Sequence, residues 1–133
     1  MIAPTLDEVI KSSKVTVHRG RYAYLKAQKT AINSHFFVSK DEDEVTIVTE
    51  EKNVTKTIYE KDVKWFKLIE IKISSPFLAK GFLAKVTKTI ADKDLNVLVV
   101  STFSKDYILV REEVYEVAVK ALDEVGFSIE VEK

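Results

Sequence analysis

The stretch Ser74-Ser75-Pro76-Phe77-Leu78-Ala79-Lys80-Gly81-Phe82 holds residue types suited to an anion. Ser75 fits a helix N-cap, and Pro76 fits the first helical position, where its missing N–H is harmless. The orphan amides and positive dipole end of such a start suit a carboxylate. Gly81 then falls a turn and a half inside the expected helix, where glycine costs about 1 kcal/mol relative to alanine. Two uses would offset that cost. A ligand or backbone can approach closely where no side chain stands, or the helix can simply pack tightly on a sheet with no ligand present. The residues alone leave both open.

Other chemistry is sparse. His18 and His35 are the only histidines, and neither has a metal-ligand spacing. The run Asp41-Glu42-Asp43-Glu44 lacks the glycine and twelve-residue spacing of a calcium loop, so it reads as a solvated hairpin tip. No G-x-S-x-G elbow, P-loop or dinucleotide glycine pattern occurs. The absence of cysteine excludes disulfides, thiolate metal sites and a cysteine nucleophile. Neither a cofactor nor a metal is expected, and catalysis is not.

The 133 residues carry 21 Lys and Arg against 21 Asp and Glu. That balance argues against an electrostatic nucleic-acid binder. Lys11, Lys14, Arg19, Arg21, Lys26 and Lys29 do cluster near the amino terminus, interleaved with Tyr22 and Tyr24. They read as exposed strand faces in preference to an RNA surface. No apolar run approaches a membrane span, and the start lacks a signal-peptide pattern. The expectation is a cytoplasmic protein with no membrane partner.

The elements that must position the stretch follow from periodicity. Thr5-x-x-Glu8 is a capping-box pattern opening a short helix. Val15, Val17, Tyr22 and Tyr24 alternate as half-buried strand, and Phe36–Ser39 and Val45–Thr49 flank the acidic tip. The segment Asn53–Asp62 shows no clear period. Trp65–Ile73 reads as a strand, with a helix from Ser75 to about Asp94 burying Leu78, Phe82, Leu83, Val86 and Ile90. Strands at Val97–Phe103 and Tyr107–Arg111 follow. A helix over Glu112–Val125 presents Val114, Val117, Ala118, Ala121, Leu122 and Val125, Gly126 ends it, and a last strand spans Phe127–Val131. The order from Trp65 is βαββαβ, which predicts a four-stranded antiparallel sheet with both helices on one face.

The sequence "WFKLIEIKISSPFLAKGFLAKVTKTIADKDLNVLVVSTFSKDYILV" resembles the carboxy-terminal repeat of small ACT-domain proteins of the CASTOR-like group, relatives of the arginine sensors of animal growth signalling. The upstream "VTVHRGRYAYLKA" and "HFFVSKDEDEVTIV" are similar to that group's first repeat. The resemblance implies an α+β fold of two ACT-like (ferredoxin-like βαββαβ) repeats packed together, antiparallel sheets with helices on one face. The first repeat, residues 1–62, would be degenerate and carry the amino-terminal helix, and residues 63–133 would form the second. It also implies an amino acid bound without catalysis at a repeat or subunit interface, and a homodimer acting on an effector protein. Carried over, the ligand positions are Ser74, Ser75 and Gly81 on the helix side and Thr102, Phe103 and Asp106 on the hairpin side. Pro76 departs from the pattern and removes one amide donor. Asp106 could receive an ammonium group, although aspartate is equally a common turn residue. The alternative function is a ligand-free structural or interaction module on the same fold.

Overall fold

The computed structural model describes residues 4–28, 34–73 and 80–133. In chain order the elements are α1 (Leu6–Ser12), β1 (Lys14–Val17), β2 (Tyr22–Ala27), β3 (Phe37–Lys40), β4 (Val45–Glu50), α2 (Glu51–Val54), β5 (Lys61–Lys72), α3 (Phe82–Ala91), β6 (Leu98–Ser101), β7 (Lys105–Arg111), α4 (Tyr115–Glu124) and β8 (Ser128–Val131). They form two compact units: residues 1–19 with 68–133, and residues 20–67. Residues 20–67 thus lie in sequence between the two segments of the other unit.

The discontinuous unit is built on β5, α3, β6, β7, α4 and β8, the expected βαββαβ order. β6 pairs with β7 and β7 with β5. The sheet departs from expectation beyond β5. β1 lies between β5 and β8, antiparallel to β5 (Val15↔Ile71, Val17↔Ile69) and parallel to β8 (Val15↔Ile129, Val17↔Val131). This unit thus contributes five strands to the sheet, β6, β7, β5, β1 and β8, with β1 and β8 parallel. A four-residue strand carries no mark of which repeat it completes. Its alternation fixes only which side faces the core.

On that side Val15, Val17, Ile69, Ile71, Ile108 and Val110 meet Val9 and Ile10 of α1, Phe82, Val86 and Ile90 of α3, and Ala118 and Leu122 of α4 in one buried cluster. Phe82 and Phe127 pack edge to face, ring centroids 5.8 Å apart. Leu83 and Val117, expected on the buried faces, are 37% and 46% exposed. The α1 capping box forms as read: Glu8 N–H donates to Thr5 Oγ1 (3.2 Å), and Thr5 N–H to Glu8 Oε1 (3.0 Å). Gly126 follows α4 with φ 109°, a conformation few side chains tolerate, and its N–H bonds the Asp123 carbonyl at 3.0 Å.

The inserted unit has the strand order β3-β4-β2-β5. With β2 counted first, that is the second, third, first and fourth strand, the ferredoxin-like order. Its crossover β4 to β5 contains only the four-residue α2, which accords with a degenerate repeat. Ala23, Leu25, Ala27, Val45, Ile47 and Val54 make its core, with Tyr59 and Trp65 against it. Asp41 turns the acidic tip: its Oδ1 accepts from the amides of Asp43 (2.8 Å) and Glu44 (2.9 Å). β5 begins at Lys61, earlier than its apolar pattern shows. Its first residues pair with β2 (Leu25↔Asp62, Lys26↔Lys61) while remaining exposed, so they carry no alternation to read.

Candidate functional site

Helix α3 begins at Phe82, with Gly81 as its N-cap at φ 77° and ψ 1°. A left-handed residue cannot lie inside a right-handed helix whose φ is about −63°. Gly81 is therefore the boundary of the described helix and not an interior residue. A Cβ built there would have no heavy atom within 4 Å, so glycine is demanded by backbone conformation and not by a close approach. No side chain caps the start. The first bond within the helix runs from Lys85 N–H to the Gly81 carbonyl at 2.9 Å. The amides of Phe82, Leu83 and Ala84 precede it and have no backbone acceptor among the described residues. Ser74 and Ser75, the other predicted helix-side residues, lie outside the described residues, as does Pro76.

The three hairpin residues come together in the turn from β6 to β7. Ser101 pairs with Asp106 across the ladder, and Ser101 Oγ donates to Asp106 Oδ1 at 2.6 Å. Thr102 N–H donates to the Lys105 carbonyl at 2.8 Å, which leaves Phe103 and Ser104 at the tip. Phe103 is 86% exposed. Asp106 is half-buried. A carboxylate has four acceptor positions, and the Ser101 bond is the one side-chain bond to Asp106 among the described residues, which leaves capacity for an ammonium or guanidinium group.

Lys105 ties this hairpin to β5 through Glu70, Nζ to Oε2 at 3.6 Å. Glu70 stands two residues before β5 ends at Lys72. The hairpin is therefore at the end of the sheet from which the chain leaves toward α3.

The sequence reading missed the network that continues from Glu70. His18 Nε2 lies 3.0 Å from Glu70 Oε1, and His18 Nδ1 lies 3.1 Å from Glu132 Oε2. Its ring stacks on Tyr107 with centroids 6.3 Å apart. Burial, then the Glu70 charge, pushes the Tyr107 phenol up, so it stays protonated. The Arg19 backbone N–H, then the His18 and Arg19 charges, hold the Glu132 carboxyl below its ordinary value against its desolvation. Both imidazole nitrogens thus face carboxylates, an arrangement that fastens β1 to β5 and to the carboxy-terminal residue Glu132. One signal was available: Glu70 and Lys72 interleave with Ile69 and Ile71, and Thr16 and His18 with Val15 and Val17, so polar groups of β1 and β5 must share the face opposite the helices. The register that joins His18 to Glu70 and Glu132 was not in that pattern.

The amino-terminal basic cluster is largely compensated. Lys14 pairs with Glu130, Arg21 with Glu51 at 2.6 Å, and Arg19 with Glu132 at 3.7 Å. Lys26 lies 3.8 Å from Glu44 and 3.9 Å from Glu60. Lys29, the last of the cluster, lies outside the described residues. Among the described residues no group of three or more His, Asp or Glu side chains could hold a metal ion, and no helix is long and apolar enough to cross a membrane.

Comparison with known proteins agrees with this architecture. The family model of the ACT domain matches residues 66–124. Among solved structures, a Vibrio cholerae protein of unknown function, described as a possible transport protein, superposes with a TM-score of 0.79 at 20% identity, covering 91% of this chain and 95% of that one. An Agrobacterium tumefaciens protein gives 0.70 at 24% identity, covering 91% and 94%. The ligand-free regulatory subunit of aspartate kinase from Thermus thermophilus gives 0.57 at 9% identity, covering 84% and 96%. No curated protein matches the sequence. These likenesses show an α+β, ferredoxin-like fold, within which residues 66–124 match the ACT-domain model.

Proposed function

We propose that this chain is a non-catalytic regulatory module that senses a free amino acid, with a binding crevice between the turn entering α3 and the β6–β7 hairpin. The ligand's α-carboxylate would sit on the uncapped amides at the start of α3, together with Ser74 and Ser75. Its α-ammonium or cationic side chain would sit on Asp106, with Thr102 and Phe103 forming the hairpin wall. The observation that carries the reading is the half-buried Asp106 carboxylate, held in place by Ser101 Oγ at 2.6 Å with acceptor capacity to spare, at the end of the sheet from which the chain leaves for a helix start with no side-chain cap.

Within this reading the protein is a cytoplasmic homodimer of the CASTOR-like kind and works without a cofactor. Ligand shifts its population toward the conformation with higher affinity for the amino acid, and an effector protein reads that shift. Arginine and lysine are the first candidates because Asp106 suits a second positive group. A thermal-shift screen of each standard amino acid at millimolar concentration tests it. A basic amino acid should raise Tm by a few degrees, and Asp106→Asn should abolish the rise without moving the ligand-free Tm by more than about 2 °C. If no amino acid raises Tm, the sensing reading fails. The ligand-free interaction module then takes its place, for which the exposed apolar positions Val117 and Val131 on α4 and β8 are the supporting feature.

A further inference from the structure

The discontinuous unit has an open edge at β8. This strand ends the path of paired strands, with β1 on one side and no strand on the other among the described residues. Glu132 N–H donates to the Val17 carbonyl at 2.9 Å. Backbone groups of successive residues in a strand point to opposite edges, so Glu130 and Glu132 bond toward β1. The N–H and C=O of Ile129 and Val131 therefore point outward, and such an edge is a template for a further strand.

A cleft of about 470 Å³ runs beside that edge. Its apolar lining is Val17 of β1, Tyr115 and Val119 of α4, and Ile129 and Val131 of β8. Val131 is 62% exposed, and Val117 of α4 is 46% exposed. Apolar side chains gathered beside an open strand edge mark a surface that another chain covers. Glu116, Lys120 and Asp123 of α4 also line the cleft. Their side chains make no hydrogen bond or ion pair with a described residue.

The spacing of those charges selects a second copy of this chain as the occupant. α4 and β8 both run back from the turn at Gly126. Ala118 lies about 10 Å before Val125 along the helix, at roughly 1.5 Å per residue. Glu130 lies about 10 Å beyond Phe127 along the strand, at roughly 3.3 Å per residue. Ala118 and Glu130 are therefore level with each other. A two-fold axis through Glu130 pairs β8 antiparallel with its copy, so that Ile129 faces the copy's Val131 and Val131 its Ile129. These are the residues whose backbone groups point outward. The same axis sets Glu116 opposite the copy's Lys120, Lys120 opposite the copy's Glu116, and Val117 against the copy's Val119. A foreign strand would satisfy the edge but would lack this reciprocal charge match. At the axis Glu130 faces its own copy, a like-charge pair that would oppose the ladder. Each Glu130 is neutralised by the Lys14 that it bonds.

We propose that β8 and α4 form the two-fold interface of a homodimer, joined edge to edge through Ile129 and Val131 and helix to helix through Val117 and the Glu116–Lys120 pairs. This rests on the homodimer of the proposed function, whose contact surface it names, and needs nothing from the amino-acid crevice.

The chain has no cysteine, so single introduced cysteines report the contact directly. Sedimentation of the full chain should show a dimer at micromolar concentration. In Glu130→Cys the two sulfurs flank the axis at a non-hydrogen-bonded pair, whose Cα atoms lie about 4.5 Å apart, within disulfide range. Mild oxidation should convert most of that variant to a covalent dimer on a non-reducing gel. Ser128→Cys, displaced from the axis in each copy, should run as a monomer on the same gel. Lys120→Glu makes both charge pairs repulsive and should weaken dimerisation about fivefold, and adding Glu116→Lys should restore it. Both positions are exposed, so folding is unaffected. A monomeric parent overturns this interface and the homodimer together. A dimeric parent in which Glu130→Cys does not cross-link, or Ser128→Cys cross-links as readily, overturns this interface alone and leaves the homodimer to another surface. A double charge swap that fails to restore dimerisation also overturns it.

Discussion

Replacing Gly81 with alanine separates two physical accounts by the sign of one number. In a helix interior, alanine is the better residue by about 1 kcal/mol, so a Gly81 inside a helix predicts that Gly81→Ala stabilises the protein. The structure puts Gly81 at φ 77°. A left-handed residue bearing a Cβ costs about 1–2 kcal/mol. A Cβ there has no heavy atom within 4 Å, so no clash adds to that figure and no new packing subtracts from it. Gly81→Ala should therefore destabilise by about 1–2 kcal/mol, or roughly 3–5 °C in Tm per kcal/mol at this chain length. Urea denaturation measures it: the midpoint falls while the m-value is unchanged, since the folded surface does not alter. Gly81→Asn should lose less, because asparagine visits the left-handed region more readily. A raised midpoint in Gly81→Ala would refute the boundary assignment, and the uncapped start of α3 would no longer be where the binding proposal needs it.

Three further expectations follow from the same geometry. Leu122 is fully buried in the discontinuous unit, so Leu122→Ala should cost about 2–5 kcal/mol in chemical denaturation. Phe103, 86% exposed, behaves oppositely: Phe103→Ala should stay within about 0.5 kcal/mol of the parent, while any amino-acid response that depends on the hairpin wall is lost. Glu132 supplies the pH dependence. Its folded carboxyl is held below the ordinary value of 4.5, so the stability it contributes is present above that value and is lost as pH falls through the depressed folded one. Tm measured from about pH 5 down to about pH 3 should fall less steeply in Glu132→Gln than in the parent.

Much of the local structure was legible because it depends on near neighbours. The capping box needs only Thr5 and Glu8, and both of its hydrogen bonds form. The alternation of Ile69 and Ile71 and the helical spacing of Val86, Ile90, Ala118 and Leu122 predicted residues that are buried together. The strand expected over Val97–Phe103 ends at Ser101 and the turn falls at Thr102–Ser104, one residue or more before the expected Ser104-Lys105 connection, with Asp106 paired to Ser101 in the ladder. Gly81 was read as interior to a helix that begins at Phe82, while the expected opening at Ser75 and Pro76 lies outside the described residues. A left-handed glycine is invisible to propensity: the same letter serves a helix interior poorly and a positive φ well. Leu83 was misassigned to the buried face for a related reason, since it lies one residue beyond the buried Phe82 at the first turn.

By itself the sequence determined the types of the longer elements, most of their buried apolar positions, the βαββαβ order of the carboxy-terminal half and the absence of any cysteine chemistry. These follow from periods of a few residues and from composition, and they survive whatever the chain does at long range. Only the tertiary structure decided that β1 lies between β5 and β8, that residues 20–67 interrupt the other unit, and that His18 joins Glu70 and Glu132, the latter 114 residues away in sequence. Those outcomes depend on strand pairing across the chain. A short alternating strand tells the core which face to bury, but the partner on each edge is chosen by backbone hydrogen bonds that every residue offers alike.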